Sequence, residues 1–299
     1  MELQSIISTA TITDKAENQD SCGEFDGSNF KTIFVADGLG TYKYAKLASE
    51  KVIEFFLKSA TELNSNNKLK TKEFHINYKE VFSQAKTELI NFSKEFLKDK
   101  ESISNNLFGT TAITVFETKD KITIAYAGNG AIWHIRGSYN VFTSPYLFPW
   151  NSINLLNPHS LPENGKEALI KLISENDDFH ECMPSVIEIS KDEEFGDIIL
   201  ICTDGISSAD QCKAGENSKG IYVKYEPSIL KFYEYLTRFF KSSETFTKEN
   251  LNLLLNKYLK ELGPTLNDDA TIGVLITNEA LNYQSKYSVN IENNQNKDI

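Results

Sequence analysis

The chain has 299 residues, 40% of them hydrophobic, with 42 acidic against 31 basic side chains and a formal net charge of -11. That is enough apolar material for a full core, and the acidic balance excludes nucleic acid as a principal partner, because phosphate backbones call for clustered Lys and Arg. No run approaches the roughly 18–20 apolar residues of a membrane span, and the N-terminus lacks the positive-then-apolar pattern of a secretory signal, so a cytoplasmic protein off the membrane is expected.

Residues 2–13 are short, β-branched and partly alternating, which predicts a first strand. Polar residues 14–29 read as a loop holding Asn18-Gln19-Asp20, and residues 30–36 as a buried strand. Tyr44, Leu47, Ala48, Val52, Phe55 and Phe56 then recur at helical spacing to about residue 60. An Asn/Ser/Lys-rich linker at 63–73 leads to a second amphipathic helix over about 77–100. From 110 to 143 four short β-type runs (110–117, 121–127, 131–136 and 139–143) are split by Lys119-Asp120, Gly128-Asn129-Gly130 and Gly137-Ser138, as in an antiparallel meander. Segment 144–183 is irregular and reads as a flap-like excursion with a short helix at 166–174. Strands are expected again at 185–190, 197–203 and 270–277, helices at about 226–241 and 247–262, and a frayed tail over 279–299. Helices and strands are segregated, which favours an α+β layered domain over 1–278. Cys22, Cys182, Cys202 and Cys212 form no C-x-x-C pair and are read as buried thiols.

Chemistry concentrates at the ends of the most apolar runs. Thr32–Ala36 delivers Asp37-Gly38, Ile198–Thr203 delivers Asp204-Gly205, and Asp268-Asp269 leads into Ala270–Ile276. A buried strand holds a carboxylate at its tip in a fixed position, and Gly beside it lets the backbone turn sharply. Three such tips brought together would offer hard oxygen ligands to Mg²⁺ or Mn²⁺.

With Asp20 before them, and Phe108-Gly109-Thr110-Thr111-Ala112 and Ala127-Gly128-Asn129-Gly130 between them, these blocks form an ordered series along nearly the whole chain. The series resembles the metal-dependent serine/threonine protein phosphatases of the 2C type, the PPM family. The resemblance implies a four-layer α-β-β-α sandwich, two antiparallel sheets flanked by helix pairs, with a binuclear Mg²⁺/Mn²⁺ site at one end. By block position, Asp37 would bridge the two ions, the Gly38 carbonyl would bind one, and Asp204 and Asp268 would hold the other. Asp20 would act near the second ion through ordered water. Two such ions activate a water for in-line attack on a phosphomonoester, so no nucleophilic side chain is required.

Three positions depart from the family pattern. Lys15 stands where a phosphate-binding Arg lies five residues before Asp20, and an ammonium cannot give the two-pronged guanidinium contact. Asn129 replaces the Asp of Gly-Asp-Ser-Arg, so a strong third metal is not expected, and Thr41 replaces the second Gly of Gly-Gly. Among the histidines, His134 is read as packed, and His159-Ser160 is only a loose match to an Asp-His-Ser of the family's flap. The catalytic candidates are therefore Asp20, Asp37 and Lys15. The expected activity is hydrolysis of phosphoserine or phosphothreonine on a protein partner such as a Ser/Thr kinase, by a monomer. The alternative is a pseudophosphatase that binds a phosphoprotein without turnover; a nuclease using the same cations is disfavoured by the acidic surface.

Overall fold

In the computed structural model the description covers residues 3–65, 76–98, 106–138, 152–163, 166–176, 182–208, 211–226, 229–242 and 246–295. The chain begins with β1 (Ile6–Ile12), β2 (Asp20–Asp26) and β3 (Lys31–Asp37), followed by helices α1 (Ala45–Ser65) and α2 (Tyr78–Phe96). Next come β4 (Gly109–Thr110), β5 (Ala112–Glu117), β6 (Lys121–Ala127) and β7 (Ala131–Arg136). An excursion carries β8 (Ser152–Asn154), β9 (Ser160–Glu163), β10 (Lys166–Leu169) and β11 (Ile173–Ser174). After β12 (Ser185–Ser190) and β13 (Asp197–Cys202) come the one-turn α3 (Asp204–Ser207) and a hairpin of β14 (Gln211–Asn217) and β15 (Gly220–Glu226). Helices α4 (Ile229–Ser242) and α5 (Lys248–Leu262), β16 (Ala270–Ile276) and α6 (Asn278–Gln295) complete the order.

The α+β expectation holds, with two five-stranded antiparallel sheets ordered β1-β16-β13-β7-β8 and β12-β6-β5-β3-β2. Their central strands are apolar on both faces because both faces are covered. In β3, Ile33 and Val35 join a core between the sheets while Phe34 and Ala36 face α1 and α2. In β13, Ile199 and Ile201 face the other sheet while Ile198, Leu200 and Cys202 pack beneath α4 and α5. Each such fully buried side chain contributes about 1.5–3 kcal/mol, so three contiguous clusters carry the fold. Caps fix the helix starts: Asn77 Oδ1 accepts from Glu80 N, and Thr247 Oγ1 accepts from Asn250 N at 3.2 Å.

Three readings change. The loop expected over 14–29 contains β2, a polar edge strand that pairs residue for residue with β3. The helix expected at 166–174 is instead strand β10, hydrogen-bonded to β9. Lys, Glu, Ala and Leu favour a helix there, but strand pairing overrides that weak preference. The tail expected to fray from 279 starts as helix α6, with Ala280 and Leu281 buried and Gln284 Nε2 donating to the Gly137 carbonyl at 2.6 Å. The strand expected at 139–143 lies outside the described residues. No helix among the described residues is long and apolar enough to cross a membrane, and Cys22, Cys182 and Cys202 form no disulfide among the described residues.

Candidate active site

Both sheets present their acidic tips at the same end. In one, Asp20 opens β2 directly opposite Asp37, which closes β3. In the other, Cys202 closes β13 opposite Ala131, and Ala270 opens β16 opposite Ile12, so the tips leading to Asp204, Asn129, Asp269 and Thr13 are neighbours. The antiparallel ladder thus gathers residues separated by up to 256 positions, as in the Thr13–Asp269 hydrogen bond.

Asp37 is held by its own backbone. Its N–H donates to Thr111 Oγ1 at 3.1 Å, and its carbonyl accepts from Thr110 Oγ1 and Thr111 N, each at 2.8 Å. The two threonines therefore brace the tip from beneath. Gly38 N donates to the Gln19 carbonyl at 3.1 Å, tying the Asp37 turn to the loop that carries Asp20. A Cβ at Gly38 would lie 2.4 Å from the Ala45 carbonyl, so only glycine admits the start of α1 at this point.

Asp204 begins α3 and accepts a 2.8 Å hydrogen bond from Asn129 Nδ2 on its Oδ2. Gly205 passes so close to the following tip that an added Cβ would stand 1.8 Å from the Asp269 carbonyl. Thr203 Oγ1 donates to Asp20 Oδ2 at 2.8 Å and accepts from Thr271 N at 3.0 Å, linking β13, β16 and β2 in one chain of bonds.

The electrostatics mark this as a crowded anionic centre. Burial, followed by the charges of Asp20 and Asp204, raises the Asp37 carboxyl well above the usual carboxylate range. Burial likewise pushes Asp20 up to about 7, opposed by its bonds from Thr203 and Thr271. Carboxylates that force one another to hold protons are ones a cation would relieve.

Asp268 and Asp269 divide the work differently from expectation. Asp268 is exposed and ion-paired with the Lys15 ammonium, which lies 3.9 Å from Asp269 Oδ2. That contact, first, raises the Lys15 pKa, with further support from the charges of Asp269 and Asp37. Asp269, to which the resemblance gives no ion, is buried and organises the first loop. It accepts from Gln19 N at 2.8 Å and from the Thr13 hydroxyl. Thr13 Oγ1 in turn accepts from Lys15 N at 3.0 Å.

His159, only a loose match in sequence, braces the Asn129 loop. Its Nδ1 accepts from Gly128 N at 3.3 Å, its own N–H donates to the Gly128 carbonyl at 3.0 Å, and Nε2 meets Ser185 Oγ at 2.7 Å. Its ring stacks on Tyr126 with centroids 4.8 Å apart, and burial lowers its pKa. His134 pairs with Asp197 at 2.7 Å, at the opposite end of β13.

Among the described residues, no group of three or more His, Cys, Asp or Glu side chains could hold a metal ion as it stands. The chemistry of the donors still suits one: Asp20, Asp37 and Asp204 are hard oxygen ligands in mutual repulsion, beside the glycine-lined cradle at Gly38. Asp268 does not fit as well, because an ammonium already occupies it.

The fold is one shared with serine/threonine phosphatases. It is similar to Stp1 from Staphylococcus aureus at 16% identity, covering 93% of this chain and 95% of that one with a TM-score of 0.54. The serine/threonine phosphatase of S. agalactiae matches at 17% identity over 91% of this chain and 99% of that one, with a TM-score of 0.55. A sex determining protein of C. elegans matches at 10% identity, 95% and 67% coverage and a TM-score of 0.60. No curated protein matches the chain in sequence. The family described as Protein phosphatase 2C matches residues 7–260, and the chain belongs to that family.

Proposed function

We propose that the protein hydrolyses phosphoserine and phosphothreonine monoesters on a protein partner, using a divalent cation held at the Asp20–Asp37–Asp204 centre. The observation that carries this reading is the convergence of these three acids at one end of two sheets, with Asp37 raised by burial and by the charges of the other two. Family membership and the serine/threonine phosphatases among the similar structures support a phosphoprotein substrate.

Asp37 and the Gly38 carbonyl would hold the ion, with Asp20 beside it and Asp204 completing the set; the family arrangement adds Asp268 toward a second ion. When bound, Mg²⁺ or Mn²⁺ acidifies water and offsets the negative charge of a phosphate monoester. The chain supplies the orientation. Asn129 fixes Asp204, Thr203 fixes Asp20, and Thr110 and Thr111 fix Asp37. Lys15 supplies a positive charge at the rim of the centre, as a point charge and not a fork. A cytoplasmic monomer acting on a Ser/Thr kinase or its substrate accords with the acidic composition.

The engagement of Lys15 by Asp268 favours the second reading, a pseudophosphatase, because it removes from free solution the group placed for phosphate. An aryl phosphate assay with Mn²⁺, with and without chelator, separates the two. Mn²⁺-stimulated release of phenolate supports the enzyme, and none at high protein concentration refutes it.

A further inference from the structure

Lys15 and Asn129, two departures from the family pattern, act at the same place. The ion that the family would hold with Asp204 and Asp268 finds an N–H donor already on each carboxylate: Asn129 Nδ2 on Asp204 and Lys15 Nζ on Asp268. The neutral Asn129 amide leaves Asp204 a negatively charged ligand, whereas an ammonium in contact with Asp268 repels a dication outright.

Lys15 is not a chance surface partner. With the two side chains 41% and 55% exposed, the ion pair alone would be weak. Its backbone, however, is pinned over the site, since Lys15 N donates to Thr13 Oγ1, which itself donates to buried Asp269. Asp269 in turn holds Gln19 N, one residue before Asp20. The ammonium is thus tethered above Asp268 and Asp269, close enough for its charge to act on Asp37 as well.

We infer that the Lys15 ammonium stands in for one of the family's two divalent ions, so that the protein takes a single Mg²⁺ or Mn²⁺ on Asp37, the Gly38 carbonyl, Asp20 and Asp204. The inference rests on the metal-dependent reading above and specifies its stoichiometry. Asp268 then serves as the counter-ion of Lys15 and not as a ligand.

Mn²⁺ binding to the full chain, followed by loss of the free-ion signal in electron paramagnetic resonance, tests it. The wild type should bind one ion per chain. Lys15→Met should bind a second, with a dissociation constant at least tenfold below any weak second event in the wild type. Lys15→Arg keeps the charge and should stay at one, and Asp268→Asn should leave the wild-type count unchanged. Two ions of comparable affinity in the wild type would overturn the inference while leaving the phosphatase reading intact. So would a Lys15→Met protein, folded by circular dichroism, that still binds one. No Mn²⁺ bound to any variant would overturn the inference and the metal-dependent reading together.

Discussion

Asp20 and Asp37 face each other as the terminal register pair of the β2–β3 ladder, two acids at the end where the polar edge strand begins and its buried neighbour finishes. The arrangement costs stability when no cation is present.

In chelator, this pair makes the protein less stable as pH rises. The folded-state Asp20 carboxyl sits at about 7, above its ordinary 3.8, and Asp37 moves in the same direction. The folded state therefore binds more protons than the unfolded one between those values. The stability contributed is full below the ordinary carboxylate range and is lost as pH rises through about 7. Asp20→Asn should gain on the order of a few kcal/mol over wild type at pH 7.5 and little at pH 4. Urea melts in chelator at both values check it.

Asp37→Asn should separate folding from activity. Removing one charge from the cluster should raise the melting temperature of the cation-free protein while abolishing Mn²⁺-dependent hydrolysis. Calorimetry beside a phosphatase assay reads both, and a variant that loses activity by unfolding would count against the placement of Asp37.

Gly205→Ala should be costly. The new Cβ would stand 1.8 Å from the Asp269 carbonyl, so the tips of β13 and β16 must part. Overpacking of this kind costs typically about 1–3 kcal/mol, and Mn²⁺ affinity should fall with it because Asp204 moves. A variant with unchanged denaturation midpoint would contradict that close approach.

At the far end of the sandwich, Asp197→Ala should destabilise without touching the site. Asp197 is fully buried and accepts from His134 and Arg136, each at 2.7 Å, and from Asp192 N at 2.8 Å. Arg136 can turn to water, but the mostly buried His134 ring and Asp192 N lose their acceptor, a loss of about 1–3 kcal/mol. The Mn²⁺ count of the folded fraction should be unchanged.

The acidic tips were legible because a long apolar run ending in Asp-Gly is both a strand and its turn, so Asp37 and Asp204 could be placed before any contact was known. β2 was not, because Asp-Ser-Cys-Gly-Glu-Phe-Asp lacks apolar alternation and owes its strand to pairing with β3. The β9–β10 pairing has a local sequence signal, since Asn164-Gly165 between the two segments is a strong hairpin dipeptide. The pairing of Lys15 with Asp268 bridges 253 positions, and no local pattern reveals it. The same holds for His159, whose bonds to Gly128 depend on the excursion folding back over the β6–β7 turn. Periodicity reports which face is buried, not which polar side chains meet once the faces close.

The most direct measurement is release of inorganic phosphate from a phosphothreonine peptide by the purified chain, titrated with Mn²⁺ and then with chelator, beside Asp37→Asn. Phosphate release that requires Mn²⁺, stops on chelation and is absent from the folded variant is the expected result. Binding of the peptide with no phosphate released at any Mn²⁺ concentration would contradict the enzyme and leave a phosphoprotein-binding fold in its place.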